Sequence, residues 1–142
     1  MEIIILSGGL GTRLNGILKN IPKVMAPINN KPFLEYIFDD INNQGIERVI
    51  LATGYKKEYI RDYFGDNYKN ISIEYSEEES PLGTGGAIKK ALDKTNEDNV
   101  IVMNGDIYTK LDYNELYKSH QNSNSKVTLA LKKWKILIGM VL

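Results

Sequence analysis

The sequence predicts an α/β fold: a Rossmann-like three-layer sandwich built on a mostly parallel sheet. Three observations carry this. Apolar runs of strand length recur at residues 3–6, 48–52 and 99–103, segments with helical spacing of apolar residues lie between them, and the connections are mostly short. Strands that alternate with helices in this way form βαβ units, which bury a parallel sheet on both faces.

The elements follow in order. Ile3, Ile4, Ile5 and Leu6 form a buried strand. Residues 15–30 contain Pro22 and Pro27 and read as a long connection too broken for a regular helix. Residues 32–43 are helical, with Phe33, Leu34, Ile37, Phe38 and Ile41 on one stripe and Gly45 as the stop. Residues 48–52 are the second strand. Residues 57–64 form a short helix with Tyr59, Ile60, Tyr63 and Phe64 inward. Residues 71–75 alternate, so one face of that strand is less buried. Residues 84–93 are helical, with Ala87, Ile88, Ala91 and Leu92 apolar, and residues 99–103 are another buried strand. A last helix spans 111–120, with Tyr113, Leu116 and Tyr117 inward, ahead of the run 126–131. Only residues 121–125 read as a flexible polar loop, and there is no internal repeat.

The 142 residues suit one domain, and 42% hydrophobic residues suffice for a core. Eighteen basic and eighteen acidic side chains cancel, so no global field draws in nucleic acid or an anionic membrane. Phosphate binding, if present, is local. The lack of cysteine excludes disulfides and thiolate metal sites. No stretch approaches the roughly 18 apolar residues of a membrane span, and no signal-peptide pattern opens the chain, so a cytoplasmic protein is expected.

Directly after the first strand stand Ser7, Gly8, Gly9, Leu10, Gly11, Thr12, Arg13 and Leu14. Glycines let backbone N–H groups turn inward around an anion, and Arg13 adds a forked, permanent positive charge. This is not a P-loop, because no Lys-Ser or Lys-Thr follows the glycines, and it is not a dinucleotide fingerprint, because Leu14 occupies the third glycine position. Lys23 lies between two prolines that stiffen its loop, where its ammonium could reach the same phosphates. Ser80, Pro81, Leu82, Gly83, Thr84, Gly85 and Gly86 open a helix, where exposed N–H groups can read a flat base. Asp106 ends the strand at 99–103 and is a hard oxygen ligand of the kind Mg²⁺ uses together with phosphate oxygens. A plain turn would also explain Asn104, Gly105 and Asp106. His120, the one histidine, reads as solvated rather than catalytic, and Gly54 with Tyr55 is a minor candidate for the pocket rim.

The string Gly8 to Leu14, the segment Ile21, Pro22, Lys23, Val24, Met25, Ala26, Pro27, and then Lys31 and Pro32 resemble the signature of the sugar-phosphate nucleotidyltransferases. Within that family the chain is most similar to the guanylyltransferases acting on D-glycero-α-D-manno-heptose 1-phosphate and mannose 1-phosphate. The resemblance implies the nucleotide-diphospho-sugar transferase type of fold. It also implies transfer of a nucleotidyl group, GMP favoured, from a nucleoside triphosphate to a sugar 1-phosphate, giving pyrophosphate and a precursor of surface polysaccharide, with Mg²⁺ as cofactor. It assigns catalysis to Arg13 and Lys23, the metal to Asp106, and nucleotide binding to Leu6, Gly8, Gly9, Gly11, Thr12, Glu78, Pro81, Gly83 and Thr84. Glu78 fits the acidic position that would accept from guanine, although a solvated acidic run explains Glu77, Glu78 and Glu79 equally well.

The resemblance covers residues 1–133, taken as the nucleotide-binding part. Family members continue with a sugar pocket and a second metal-binding aspartate, and this chain reads as C-terminally incomplete. Residues 134–142 match nothing expected of the family. One possible coding of residues 132–141, with one adenine inserted, restores family-like text, so an out-of-frame tail is expected, with apolar residues that invite aggregation. Three readings stay open: the guanylyltransferase, a uridylyl- or thymidylyltransferase for a hexose 1-phosphate, and a catalytically inactive nucleotide-binding fragment. An unrelated Rossmann-like dehydrogenase is disfavoured by the missing glycine.

Overall fold

A computed structural model of the chain describes residues 1–9 and 21–131. Residues Met1–Leu111 form one compact unit and Asp112–Leu142 a second. The first begins with β1 (Glu2–Leu6), then a single 3₁₀ turn at Lys23–Met25, the short strands β2 (Pro27–Ile28) and β3 (Lys31–Pro32), α1 (Phe33–Asn43) and β4 (Arg48–Thr53). It continues with α2 (Lys57–Phe64), β5 (Asn67–Tyr68), β6 (Ile71–Glu77), α3 (Gly83–Leu92) and β7 (Val100–Asn104).

The main sheet has the order β5-β6-β4-β1-β7. All neighbours are parallel except the two-residue β5, which pairs antiparallel with β6. This is the expected Rossmann-like, mostly parallel sheet. The chain lays β4 and β6 to one side of β1 and then crosses back to place β7 on the other. The order therefore reverses at β1, and in open α/β sheets ligands bind beyond the carboxyl ends of strands at such a reversal.

β1 is buried on both faces: Ile3, Ile4 and Ile5 have no exposed surface. Ile4 packs with Ile50, Ala52, Ala87 and Ala91, so the small residues of α3 let that helix lie close on one face. Ile3, Ile5, Val49 and Leu51 alternate onto the other face and are equally buried, as are Leu34, Ile37, Phe38 and Ile41 of α1 and Ile60 and Phe64 of α2. The rings of Phe38 and Phe64 pack with centroids 4.8 Å apart.

Two expectations need correction, the inward tyrosines of α2 and the burial of β7. Tyr59 and Tyr63 of α2 face outward, at 47% and 51% exposure, because two buried positions suffice for a two-turn helix and the Tyr63 hydroxyl donates to Glu35. Leu92, an apolar residue at the last turn of α3 to which the sequence assigns no burial, is exposed as well. β7 is buried only at Ile101 among its apolar residues, because it is the sheet's edge and Val102 lies on a flank that α3 does not reach. The run 126–131, to which the sequence assigns no element, forms neither helix nor strand, and Val127, Leu129 and Leu131 are exposed.

In the second unit α4 (Tyr113–Gln121) starts two residues later than expected, because Asp112 caps it by accepting from the Glu115 N–H. His120 Nδ1 lies 2.8 Å from the Thr128 hydroxyl, so it has a protein partner rather than water alone. Among the described residues no helix is long and apolar enough to cross a membrane.

Candidate functional site

The carboxyl ends of β1, β4, β6 and β7 collect most of the described candidate residues. Leaving β1, Ser7 stays tied to β4: its N–H and its hydroxyl both donate to the Ala52 carbonyl, at 2.8 and 2.7 Å. The next residue, Gly8, meets the end of β4 backbone to backbone. A Cβ on Gly54 would stand 3.3 Å from the Gly8 carbonyl oxygen, so this crossing leaves little room for a side chain. Gly54, a minor candidate in the sequence, thus lies against Gly8, while Tyr55 is 40% exposed.

Glu78 follows β6 at the same level. Its N–H donates to the Thr53 carbonyl at 2.7 Å, which carries the β4–β6 pairing one residue past the strand. Its carboxylate does two things. Oε2 accepts from the Leu82 N–H at 3.0 Å, and Oε1 lies 3.1 Å from where a Cβ on Gly8 would stand. Glu78 is therefore tied to the start of α3 and stands beside Gly8. Glu77 pairs instead with Lys57 and Arg61, at 2.8 and 2.9 Å, and the Lys57 hydrogen bond holds its carboxyl below the usual range against a smaller cost of burial. Pro81, Gly83 and Thr84 are exposed at the N-terminus of α3, with Gly83 at φ +70°.

On the other side of β1 the chain leaving β7 folds over the end of β1. The Gly105 N–H donates to the Leu6 carbonyl at 2.8 Å. A Cβ on Gly105 would come within 3.1 Å of Ile5 and of the Leu6 oxygen and 3.3 Å of Val24, so only glycine fits without displacement. Val24 and Met25 are buried, and they seat the 3₁₀ turn against the end of the sheet. The consequence is a contact between residues 83 apart in sequence: Lys23 Nζ lies 2.6 Å from Asp106 Oδ2. The two side chains are 43% and 34% exposed, so the pair adds little to stability and is open to exchange partners.

Leu6, Gly8, Gly9, Lys23, Glu78, Pro81, Gly83, Thr84 and Asp106 are thus placed. Gly11, Thr12 and Arg13 lie outside the described residues, as does the tail at 134–142. No group of three or more acidic, histidine or cysteine side chains is gathered for a metal among the described residues. Asp106 alone fits the way magnesium binds nucleotides, through one or two carboxylates with phosphate oxygens and water completing the shell. Sequence reasoning did not reveal the Leu82 N–H as the partner of Glu78, and no local pattern signals it.

The Nucleotidyl transferase family profile matches residues 2–136. The chain is 56% identical over 135 residues to a D-glycero-α-D-manno-heptose 1-phosphate guanylyltransferase of Aneurinibacillus thermoaerophilus, covering 95% of this chain and 59% of that protein. It is 39% identical over 132 residues to a mannose-1-phosphate guanylyltransferase of Mycobacterium tuberculosis, covering 92% and 37%. Among solved structures it is similar to HddC from Yersinia pseudotuberculosis complexed with GMP-PN, at 43% identity and TM-score 0.77, over 85% of this chain and 54% of that one. A UDP-glucose pyrophosphorylase complexed with UDP-glucose matches at 25% identity and TM-score 0.70, over 84% and 54%. The chain spans less than two thirds of the length of these relatives.

Proposed function

The chain belongs to the Nucleotidyl transferase family, and on that premise we propose that it takes part in transferring a guanylyl group from GTP to a sugar 1-phosphate, heptose or mannose, with release of pyrophosphate. The observation that carries this reading is the convergence of Gly8, Lys23, Glu78 and Asp106 at the carboxyl end of one sheet, where the strand order reverses.

In the proposed reaction an oxygen of the sugar 1-phosphate attacks the α-phosphorus, the bond to the β-phosphate oxygen breaks, and pyrophosphate leaves with the electron pair. The attacking phosphate is already ionised, so the protein supplies position and positive charge rather than a nucleophile. Arg13 and the N–H groups of residues 8–13 would hold the leaving phosphates. Lys23 would leave Asp106 and neutralise the reacting phosphoryl group. Asp106 would hold Mg²⁺, which when bound adds charge neutralisation on the phosphate oxygens. Glu78 would face the base, with the N–H groups at residues 83 and 84 beside it. Residues 1–133 would be the nucleotide-binding part and 134–142 an atypical tail.

The test is pyrophosphate release over a matrix of GTP, UTP and TTP against heptose, mannose and glucose 1-phosphates. The reading expects release with GTP and heptose or mannose 1-phosphate. Release confined to UTP or TTP would contradict it. GTP binding without release would instead support the second reading, a nucleotide-binding piece.

A further inference from the structure

We infer that the Leu82 backbone N–H sets the polarity of base recognition by fixing which atom of residue 78 faces the nucleotide. The inference rests on the reading that Glu78 faces the base, and it deepens that reading.

Both partners of this hydrogen bond are held from elsewhere. The Glu78 backbone is anchored by its own N–H on Thr53. Leu82 is at φ −91° and ψ −9°, in the turn entering α3, and its Cβ stands 2.7 Å from where a Cβ on Gly86 would be, so the helix seats it closely. The Leu82 N–H can only donate. It takes Oε2 of Glu78 at 3.0 Å and leaves Oε1 directed along Gly8, where it accepts no hydrogen bond among the described residues. In a carboxylate both oxygens accept, so the free one can take a donor such as the 2-amino group of guanine.

An amide at this position would behave asymmetrically. In Glu78→Gln the side chain keeps its length, and the Leu82 N–H selects the amide oxygen, because an N–H facing an NH₂ sets two donors against each other and forfeits the hydrogen bond. The NH₂ then occupies the place of Oε1. A nucleotide amino group meeting it finds a donor, whereas hypoxanthine, which lacks the 2-amino group, does not.

The experiment measures binding of GTP and ITP, with Mg²⁺, to the full chain and to its Glu78→Gln and Glu78→Ala variants, with circular dichroism checking that each is folded. The unaltered chain should prefer GTP. Glu78→Ala should bring the two affinities together. Glu78→Gln should weaken GTP by about tenfold or more and reverse the order, so that ITP binds more tightly. If Glu78→Gln still prefers GTP, binding it better than Glu78→Ala does, the amide turns freely. The Leu82 lock is then wrong while the base-facing role stands. If neither variant changes the GTP to ITP ratio, Glu78 does not face the base, and the underlying reading fails with the inference.

Discussion

The two ends of the main sheet carry charge in opposite ways. At the amino ends the charges close on one another. Arg48 Nε lies 2.7 Å from Glu2 and its Nη2 2.6 Å from Glu74, Lys94 reaches Glu74 at 3.1 Å, and the Asn96 N–H donates to Glu2 at 2.8 Å. The Lys94 hydrogen bond holds the Glu74 carboxyl below its usual range, with burial opposing and Arg48 adding to the shift. Glu2 is only 4% exposed. At the carboxyl ends, among the described residues, Lys23 and Asp106 form an exposed ion pair, Glu77 at the end of β6 pairs with Lys57 and Arg61, one oxygen of Glu78 accepts no hydrogen bond, and glycines stand where side chains would crowd. Charges that meet one another in this way serve the fold. An open, sparsely paired set is what ligand chemistry requires.

Substitutions at the two ends should therefore separate activity from stability. Lys23→Ala should cut pyrophosphate release about 10²- to 10³-fold while leaving the urea midpoint nearly unchanged, because the lost contact acts on developing charge and the exposed pair contributes little to folding. A large shift in midpoint would blur the contrast. Arg48→Ala should do the reverse. It strands Glu2 without its counter-ion and should lower stability by about 3 kcal/mol in urea unfolding, with nucleotide affinity of the folded protein unchanged.

Gly105→Ala should join the two effects. The added methyl group meets Ile5, the Leu6 oxygen and Val24, so about 1–3 kcal/mol of overpacking is expected in the same unfolding measurement, together with weaker Mg²⁺-dependent GTP binding as Lys23 and Asp106 shift.

The smallest effect concerns a third network, on α1, which is closed like the amino end. Burial opposes ionisation of Asp39, but hydrogen bonds from Lys31, Lys69 and Tyr68 outweigh it and hold its carboxyl at about 2, against an ordinary 3.8. A depressed folded-state value means that this contribution is complete above the ordinary value and is lost as pH falls toward about 2. Urea midpoints between pH 5 and 2 should fall less steeply in Asp39→Asn than in the unaltered chain. Equal slopes would show that Asp39 is not part of the closed set.

Much of the fold was legible in the sequence, but the charge network at the amino ends was not. The unbroken apolar run at β1 and the helical stripe of α1 require burial wherever they sit, so their type and bounds could be read locally. The hairpin β2–β3 was missed, although Asn29 and Asn30, both at positive φ, are the residues that such a two-residue turn favours. β5 has only two residues and no pattern of its own. The outward tyrosines of α2 and the open flank of β7 depend on which neighbours cover them, which local periodicity does not encode. At the site, residue types and order pointed to Lys23, Glu78 and Asp106, but the Lys23–Asp106 contact and the Leu82 lock arise from packing at Gly105 and Gly86.

On the proposed function, ligand chemistry belongs to the carboxyl end of the sheet and the amino end serves the fold. Amide hydrogen exchange of the chain, with and without GTP and Mg²⁺, tests it most directly. Slowed exchange is expected at residues 7–9, 82–86 and 104–106, with residues 94–97 and the start of β4 unaffected. Protection at the amino ends, or none at the carboxyl ends under saturating GTP, would contradict it.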